Sequence, residues 1–451
     1  MFTRYKRPGV IAGAALAASA LVLSGCSATD EGATPSTTGG TDTTEVTSPV
    51  TISVLHDDTP TTFTYMDNLV AGFEAANPNI TVELESRPGG ADGDNIVKTK
   101  LATGEMNDVF FYNSGSLLQA LNPDENLVDL TGEAFTDSVI DSFWPTVSTD
   151  NGRYGVPWGT AMGGGILYNK VVYANLGLEV PTTWDEFMAN NAVIKAAGID
   201  PVIQTYGDTW TSQLFVLADF HNVLQESPNF ASDYTNNNAK YASDPAALKG
   251  FEYLEELHDA GYYNSDYASA IFTDGVIKVA TGEGAHYPML TFAVSNIVEL
   301  APENINDVGF FAQPGPDAAA NGLTVWMPNG VYIPKTSEGD KLAAAKAFLA
   351  YIVSPEGVQN YIDSNGQTGP FLTSGAPTAG DLYPAYADMF PYFEREGGTS
   401  PALEFVSPIK GPSLEQLTVA TGTGQYTAAE AAALYDEDVK KQAQQLGIDG
   451  W

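Results

Sequence analysis

From Val50 onward, segments with the apolar periodicity of strands alternate with segments that have the periodicity of helices. Residues 51–55 (TISVL) and 80–84 (ITVEL) alternate with a period of two, which predicts two half-buried strands. Residues 108–112 (DVFFY) form a short apolar run that suits a buried parallel strand. Between the first two strands, residues 65–76 have the pattern of a helix that ends before Pro78. Strands and helices that alternate without a repeat unit predict an α/β protein.

Later in the chain, four predicted helix starts have clear capping signals. Thr183 and Thr427 each precede a glutamate by three residues, which is the spacing of a capping box. Asp244 and Ser354 are cap residues followed at once by a proline, which suits the first helical position. These signals extend the α/β pattern towards the C-terminal end.

The start of the chain has the layout of an export signal. Basic side chains lie within residues 4–7, small apolar residues cover 10–23, and the sequence LSGC closes the segment at 23–26. The apolar stretch is too short to span a bilayer comfortably, so we expect residues 1–25 to be a signal peptide. LSGC resembles the bacterial lipobox, and Cys26 is therefore the expected lipid attachment. The alternative is an ordinary cleaved signal followed by an incidental cysteine, although the chain has no other cysteine to pair with Cys26.

Residues 26–49 are rich in Thr, Ser and Gly and contain almost no bulky apolar side chain. Such a segment cannot bury a core, so we expect a disordered tether between the lipid and the folded body. No long apolar segment follows Cys26. We therefore expect contact with the membrane through the N-terminal lipid only.

The chain is strongly acidic, with a formal net charge of -37 at pH 7. This charge argues against binding to nucleic acid, whose phosphates require a basic surface. It equally argues against free adsorption to an anionic membrane. We interpret the acidity as a solvated surface rather than as a site for a cationic ligand.

Several short sequences occur in a distinctive order along the chain. They are GEMNDVF at 104–110, GRYGVP at 152–157, LYNK at 167–170, GL at 177–178, PTTWDEF at 181–187, and a late helix and turn at 344–357. In order and spacing they resemble the extracellular solute-binding proteins of ABC importers, in the sugar-binding family 1 branch that includes maltose-binding protein. The chain departs from that pattern at 282–289 (GEGAHYPM), where Tyr287 is the aromatic candidate in place of the family's methionine and tryptophan. Residues 56–58 also lack a firm match.

The resemblance implies a two-lobed periplasmic-binding-protein fold, type II-like, with a hinge and an interlobe ligand cleft. It places residues 50–160 and 312–375 in a first α/β lobe, and residues 161–311 and 376–451 in a second. The first crossing between lobes is expected within 158–166, where Gly163, Gly164 and Gly165 provide a permissive backbone. The return is expected at 310–316, and the last crossing after residue 370.

The resemblance also implies a membrane-anchored extracellular component of an ABC transporter. It would capture a carbohydrate, more an oligosaccharide than a monosaccharide, and deliver it to the permease subunits. A sugar presents apolar C–H faces and a rim of hydroxyls, so its site needs aromatic faces and hydrogen-bonding side chains. Trp184, inside a capping box, is expected to be structural. The candidate substrate-binding residues, which lie after predicted strands, at the expected hinge or in predicted loops, are Asp58, Tyr112, Asn113, Ser114, Trp158, Thr160, Tyr206, Asp208, Trp210, Tyr287 and Trp326.

An exported lipoprotein enzyme that acts on glycans is the main alternative. The sequence contains no phosphate-binding loop and no Gly-x-Ser-x-Gly nucleophile elbow. The histidines, none of which has metal-ligand spacing, are His56, His221, His258 and His286. We therefore expect no catalytic residue, no metal and no cofactor. A binding protein that serves a sensor instead of an importer stays open. We expect a monomer, lipid-anchored at the extracellular face of the cell membrane.

Overall fold

The computed structural model describes residues 46–376 and 382–451. In this part of the chain the strands are β1 (Val50–Asp57), β2 (Ile80–Arg87), β3 (Val109–Tyr112), β4 (Gly155–Trp158), β5 (Met162–Asn169), β6 (Asp200–Val202), β7 (Gly284–Leu290), β8 (Val308–Ala312), β9 (Leu323–Trp326), β10 (Asn329–Tyr332) and β11 (Thr399–Pro401). Cys26, the expected signal peptide at 1–25 and most of the expected tether at 26–49 lie outside the described residues.

The α-helices of the described residues surround these strands. They are α1 (Pro60–Ala76), α2 (Gly90–Thr103), α3 (Ser116–Gln119), α4 (Pro123–Asn126), α5 (Lys170–Leu176), α6 (Trp184–Ala196), α7 (Leu214–Leu217), α8 (Phe220–Glu226), α9 (Phe230–Thr235), α10 (Pro245–Asp259), α11 (Phe272–Thr281), α12 (Ala293–Leu300), α13 (Gly339–Ile352), α14 (Pro355–Asn365), α15 (Pro384–Glu394), α16 (Leu403–Val406), α17 (Leu414–Gly422) and α18 (Ala428–Gln445). Short 3-10 helices cover Ala134–Ser138, Trp144–Thr146, Thr209–Gln213 and Pro302–Asp307.

The first lobe is built on a sheet with the strand order β2-β1-β3-β10-β4. β1 runs parallel to β2 and β3, whereas β10 runs antiparallel to β3 and β4. The three strands predicted from the sequence are confirmed as β1, β2 and β3. The apolar residues Ile52 and Val54 of β1 are buried, and all of β3 is buried, as expected for a central strand.

The second lobe is built on a sheet with the order β11-β9-β5-β7-β6, in which β8 also pairs with β5. β5 runs antiparallel to β7, β8 and β9. The glycines at 163–165 lie inside β5 and not at the crossing where we expected them. A Cβ at Gly164 would collide with the ring of Trp326, and a Cβ at Gly165 would collide with the carbonyl oxygen of Phe311. These glycines therefore allow close packing in the sheet, which corrects their interpretation as hinge residues.

The predicted helix starts are confirmed. Thr183 and Thr427 form capping boxes at the starts of α6 and α18. The side chain of Asp244 accepts hydrogen bonds at the start of α10, and that of Ser354 does so at the start of α14. Each cap satisfies backbone N–H groups that would otherwise lack a partner in the first turn.

The chain first passes from one sheet to the other between β4 and β5. Gly159 in this connection has φ of 92°, a backbone conformation that glycine adopts readily. The amide of Ala161 donates to the carbonyl of Pro370 at 2.8 Å, and Thr160 pairs with Phe371 in an isolated bridge. Two segments that are distant in sequence therefore run side by side at this hinge.

The chain returns to the first sheet later than the sequence predicted. β8 and β9 both pair with β5, so residues 312–326 belong to the second lobe. The proline- and glycine-rich segment 314–316 lies outside the helices and strands, and Gly315 forms an isolated bridge with Thr183 of the second lobe. The expected return at 310–316 is therefore wrong, because the crossing lies between Trp326 of β9 and Asn329 of β10.

The hydrophobic core joins the two lobes. One buried cluster includes Val54 of β1 and Phe348 of α13, and it continues to Val276 of α11 and Ile297 of α12. A second cluster fills the space around α6, α10 and α18 in the second lobe. Among the described residues, no helix is both long enough and apolar enough to cross a membrane.

Candidate functional site

Three segments leave the first sheet at the same edge, which faces the second lobe. Because β1, β2 and β3 are parallel, residues 57–59, 88–91 and 113–115 follow them at one side of the sheet. In open α/β sheets, ligands bind beyond the carboxyl ends of the strands. In the second lobe, β6 is followed by residues 203–210, which lead to Trp210. This arrangement makes the space between the lobes the candidate site.

The lobes touch where Gly90 of the first lobe meets Trp210 of the second. A Cβ added at Gly90 would stand 3.5 Å from Cβ and Cδ1 of Trp210 and 3.6 Å from Oε2 of Glu415. Gly90 has φ of 64°, which residues with a side chain rarely adopt. The positive φ favours a glycine at this turn, while the distances show that the lobes are in van der Waals contact here.

A second contact between the lobes lies at Gly115. Its φ is 72°, and an added Cβ would collide with the carbonyl oxygen of Glu404 and stand 2.8 Å from the ring of Phe405. Both of these residues belong to α16 in the second lobe. The two lobes are thus in direct contact at two places, at Gly90 and at Gly115.

The first lobe contributes a buried cation and a carboxylate to this region. Arg87 donates hydrogen bonds to the carbonyls of Pro88 at 3.0 Å and Phe111 at 3.4 Å, and its guanidinium lies 5.5 Å from the ring centroid of Tyr112. Burial raises the pKa of Asp94, and the positive charge of Arg87 opposes this rise. Burial and the charge of Asp94 raise the pKa of Tyr112.

The second lobe contributes three further charged side chains. Nζ of Lys410 lies 3.4 Å from Oε2 of Glu404, and both side chains are largely buried. Oε2 of Glu415 accepts a hydrogen bond from the Thr209 hydroxyl at 2.7 Å. Burial raises the pKa of Glu415, while the Thr209 hydrogen bond and the charge of Lys410 lower it and the charge of Asp94 adds to the rise. Charges from both lobes therefore interact across the site.

Aromatic rings form an apolar wall on the second lobe. The half-buried ring of Trp210 lies 5.3 Å from Phe272 and 6.1 Å from Phe292, measured between ring centroids. Asp208 accepts a hydrogen bond from the backbone N–H of Phe272 at 2.7 Å, which ties the loop before Trp210 to α11. An aromatic face of this kind can stack on the apolar face of a sugar ring.

Three buried polar atoms of non-aromatic side chains around the site have no hydrogen-bond partner among the described residues. They are Nε of Arg87, Oγ of Ser116 and Oε1 of Gln213. Ser116 directly follows the interlobe contact at Gly115, and Gln213 ends the 3-10 helix that contains Trp210. Buried polar groups are normally hydrogen-bonded, so these atoms mark places where a polar partner is missing.

The structure brings Tyr112, Asn113 and Ser114 to the edge of the first sheet. The ring of Tyr112 is buried beneath Arg87, and Asn113 is half-buried. The hydroxyl of Ser114 donates to the carbonyl of Pro328 at 2.9 Å, at the return crossing. Of these three side chains, that of Asn113 is the one that remains accessible.

Trp158 and Thr160 lie at the first crossing. The half-buried ring of Trp158 packs against Tyr65 at 5.3 Å and Phe111 at 5.0 Å between centroids. The hydroxyl of Thr160 is hydrogen-bonded to that of Thr368, which joins the two strands of the hinge. Thr160 is buried in this contact.

Three other sequence candidates lie in the interior of the second lobe. Tyr287 is 1% exposed, and its hydroxyl is hydrogen-bonded to Thr205 at 2.9 Å. The hydroxyl of buried Tyr206 packs against Gly422. Trp326 belongs to β9 and is 6% exposed, so the loop predicted around it is wrong. The inward positions of these rings follow from the pleat of the strands and from the packing of the helices on them.

Asp58 and Trp184 differ in burial. Asp58 is exposed, while the neighbouring Asp57 accepts hydrogen bonds from Thr59 and Thr62. Trp184 is buried and stacks on Tyr253 with centroids 3.7 Å apart, which confirms its structural role.

Sequence reasoning missed the charged part of the site. The signal for Gly90 was present, since residues 88–90 (PGG) follow directly after β2. Asp94, Lys410 and Glu415 have no local sequence signal, because they converge only through the fold. In residues 46–376 and 382–451, no group of three or more His, Cys, Asp or Glu side chains is arranged to hold a metal ion.

Two α/β lobes, chain crossings that include adjacent segments at the hinge, and a polar, aromatic-lined contact between the lobes define the class of hinged two-lobed binding proteins. A profile of the bacterial extracellular solute-binding proteins matches residues 57–359. The chain belongs to this bacterial extracellular solute-binding protein family.

Relatives and solved structures agree with this family. The chain is 26% identical over 309 residues to the multiple sugar-binding protein of Streptococcus mutans serotype c, an alignment that covers 67% of this chain and 70% of that protein. A chitin oligosaccharide binding protein has a similar structure, with a TM-score of 0.77, 22% identity and coverage of 88% of this chain and 99% of that one. The solute-binding protein RafE in complex with raffinose gives a TM-score of 0.71, 24% identity and the same two coverages. At these identities, the structural likeness establishes the fold.

Proposed function

We propose that this chain captures a carbohydrate between its two lobes and delivers it to the permease subunits of an ABC importer. The observation that carries the proposal is the combination of the Trp210 ring with buried, unpartnered polar atoms at the interlobe contact. The ring supplies a face for C–H groups, and the polar atoms supply partners for hydroxyls. Membership of a family of binding proteins supports binding without turnover.

The names of the similar proteins support carbohydrate as the ligand class. The Streptococcus mutans relative is a multiple sugar-binding protein, and the two structures bind a chitin oligosaccharide and raffinose. We favour an oligosaccharide, since aromatic faces lie both at the hinge, in Trp158, and on the second lobe, in Trp210. Two separate faces allow two sugar rings to stack.

The accessible sequence candidates and the charged residues found in the structure form the proposed contact set. Tyr112, Ser114 and Thr160 are buried, so we assign them to packing beneath the contact residues rather than to direct contact with the ligand. We assign direct contacts to Asn113, Trp158 and Trp210, with Arg87, Asp94, Ser116, Gln213 and Lys410 as polar partners.

We further propose that the protein is a monomer, exported and held at the extracellular face of the cell membrane by a lipid on Cys26. The LSGC sequence at 23–26 and the absence of a second cysteine in the sequence support the lipid. The strongly acidic surface makes direct adsorption to an anionic membrane unfavourable.

Thermal-shift screening followed by calorimetry tests the proposed ligand class. The panel contains monosaccharides, raffinose, stachyose, xylo- and chito-oligosaccharides, amino acids and polyamines. Stabilisation should grow with the ratio of ligand concentration to its dissociation constant. The mixture is then analysed for cleaved glycan. Shifts with amino acids or polyamines and none with any sugar would refute the carbohydrate proposal, and cleaved glycan would identify an enzyme.

A further inference from the structure

Glu415 is a buried acid of the second lobe that reaches the first lobe. It lies near the start of α17 and is 9% exposed. Its Oε2 accepts the Thr209 hydroxyl at 2.7 Å and lies 3.6 Å from the position of a Cβ added at Gly90. The carboxylate therefore lies against the first turn of α2 in the other lobe.

The backbone N–H groups of that turn provide partners for the carboxylate. The backbone N–H of Ala91, in this turn, favours the ionised form of Glu415 and so opposes the rise of its pKa. The first N–H groups of a helix lack partners within the helix and carry a partial positive charge. A carboxylate there makes a charge-assisted contact, which is stronger than one between neutral groups.

This contact joins the lobes without any ligand atom. The edge of Trp210 lies beside Gly90 in the same place, and the Thr209 hydroxyl holds Glu415 towards it. When the lobes separate, the contact between Glu415 and the Gly90 turn is lost, while its contact with Thr209 in the same lobe can remain. A contact present only in the closed state shifts the equilibrium towards that state.

We propose that Glu415 is a positioning residue that stabilises the closed state of the two lobes, in the empty protein as well as in the loaded one. This inference rests on the proposed interlobe site, and it identifies a residue that controls how long ligand stays there. Glu415 acts through the Gly90 turn rather than through the ligand.

The main experiment compares ligand-free proteins by small-angle X-ray scattering. The whole mature chain and its Glu415→Gln variant are unfolded and refolded to remove bound sugar. Glu255→Gln is the matched control, because Glu255 accepts the first N–H of α18, at Ala428, within the second lobe alone at 2.9 Å. We expect a larger radius of gyration for E415Q and an unchanged radius for E255Q.

Ligand kinetics provide a second readout once a ligand is known. We expect E415Q to release ligand about fivefold faster, as expected from a loss near 1 kcal/mol, with E255Q unchanged. If E415Q does not fold, Thr209→Val replaces it, because this variant removes the hydroxyl that donates to Glu415. Thr209→Val should also increase the ligand-free radius of gyration and the rate of ligand release. An unchanged ligand-free radius overturns the proposal, and so does tighter binding, which would mean that the contact blocks the site. Since the scattering uses no ligand, its outcome is independent of whether the ligand is a carbohydrate.

Discussion

The carboxylate of Asp208 accepts a hydrogen bond from the backbone N–H of Phe272 at 2.7 Å. Phe272 is the first residue of α11, and its ring lies beneath Trp210. Asp208 therefore fixes the aromatic wall of the second lobe. The sequence predicted Asp208 as a substrate-binding residue, whereas in the structure one of its oxygens already accepts a hydrogen bond within the protein.

Replacing Asp208 separates these two roles. Asp208→Ala should reduce the free energy of unfolding by about 1–2 kcal/mol, the usual cost of losing such a capping contact. Ligand affinity should fall several-fold, because the support of Trp210 is loosened. Asp208→Asn keeps an acceptor oxygen and should recover most of both losses. Denaturant unfolding and calorimetry measure them; a loss of affinity at unchanged stability would instead place Asp208 on the ligand.

Trp210→Ala should weaken carbohydrate binding by roughly one to two orders of magnitude, with folding largely kept. The ring is half-buried at the lobe contact, so its removal should cost more in ligand binding than in packing of the hydrophobic core. Trp184→Ala is the control, since Trp184 is buried against Tyr253 and its loss should cost about 3–5 kcal/mol of stability. A large drop in melting temperature for Trp210→Ala at unchanged affinity would move this ring from the site to the core.

Asp219 should make stability decrease with rising pH. Burial raises the pKa of Asp219 to about 8. Nδ2 of Asn222 donates to its Oδ1 at 2.8 Å, while its Oδ2 and Oε1 of Gln313 are both acceptors without a donor among the described residues. The amide of Gln313 is oriented by its donation to Phe215 at 2.8 Å. A proton on Asp219 can therefore satisfy both oxygens.

The sign of this pH dependence follows from proton binding. Below about pH 4 both the folded and the unfolded states hold the proton. Between about pH 4 and 8 only the folded state holds it, so the free energy of unfolding falls by at most about 1.4 kcal/mol per pH unit. Asp219→Asn should remove this slope, as measured by urea unfolding from pH 5 to 9. An identical slope in the variant would show that Asp219 does not titrate in this range.

Cys26→Ser should release the protein from the membrane fraction or leave the leader attached. The expectation follows from the lipobox-like LSGC at 23–26. Fractionation and mass spectrometry of the N-terminus measure it, with metabolic labelling by a fatty acid as a direct readout. A variant that is processed and fractionates like the wild type would mean that Cys26 carries no lipid.

The sequence predicted those elements that depend on neighbouring residues. Period-two alternation identified β1 and β2, and local capping signals identified the starts of α6 and α18. Prediction from the sequence failed where one local pattern is compatible with two structures. Glycines at 163–165 are equally compatible with a hinge and with tight sheet packing, and the rings of Phe310 and Trp326 that they accommodate come from distant strands.

For the candidate site, the sequence indicated the accessible position of Trp210 but neither the burial of other rings nor the charged residues. Trp210 follows a polar turn, so its accessible position could be predicted. Tyr287 was misplaced, because burial of its ring depends on helix α11 packing over it at Gly275. Glu415 comes to the site through α17, far along the chain from the strands it faces, and no local pattern indicates such a contact.

The place of β10 in the first sheet determines the order in which the protein can fold. β10 lies between β3 and β4, although all the strands from β5 to β9 separate it from β4 in sequence. The first lobe therefore stays incomplete until most of the second lobe has been synthesised. Bringing β10 into place closes a long loop, which costs entropy before any contact compensates for it and slows folding.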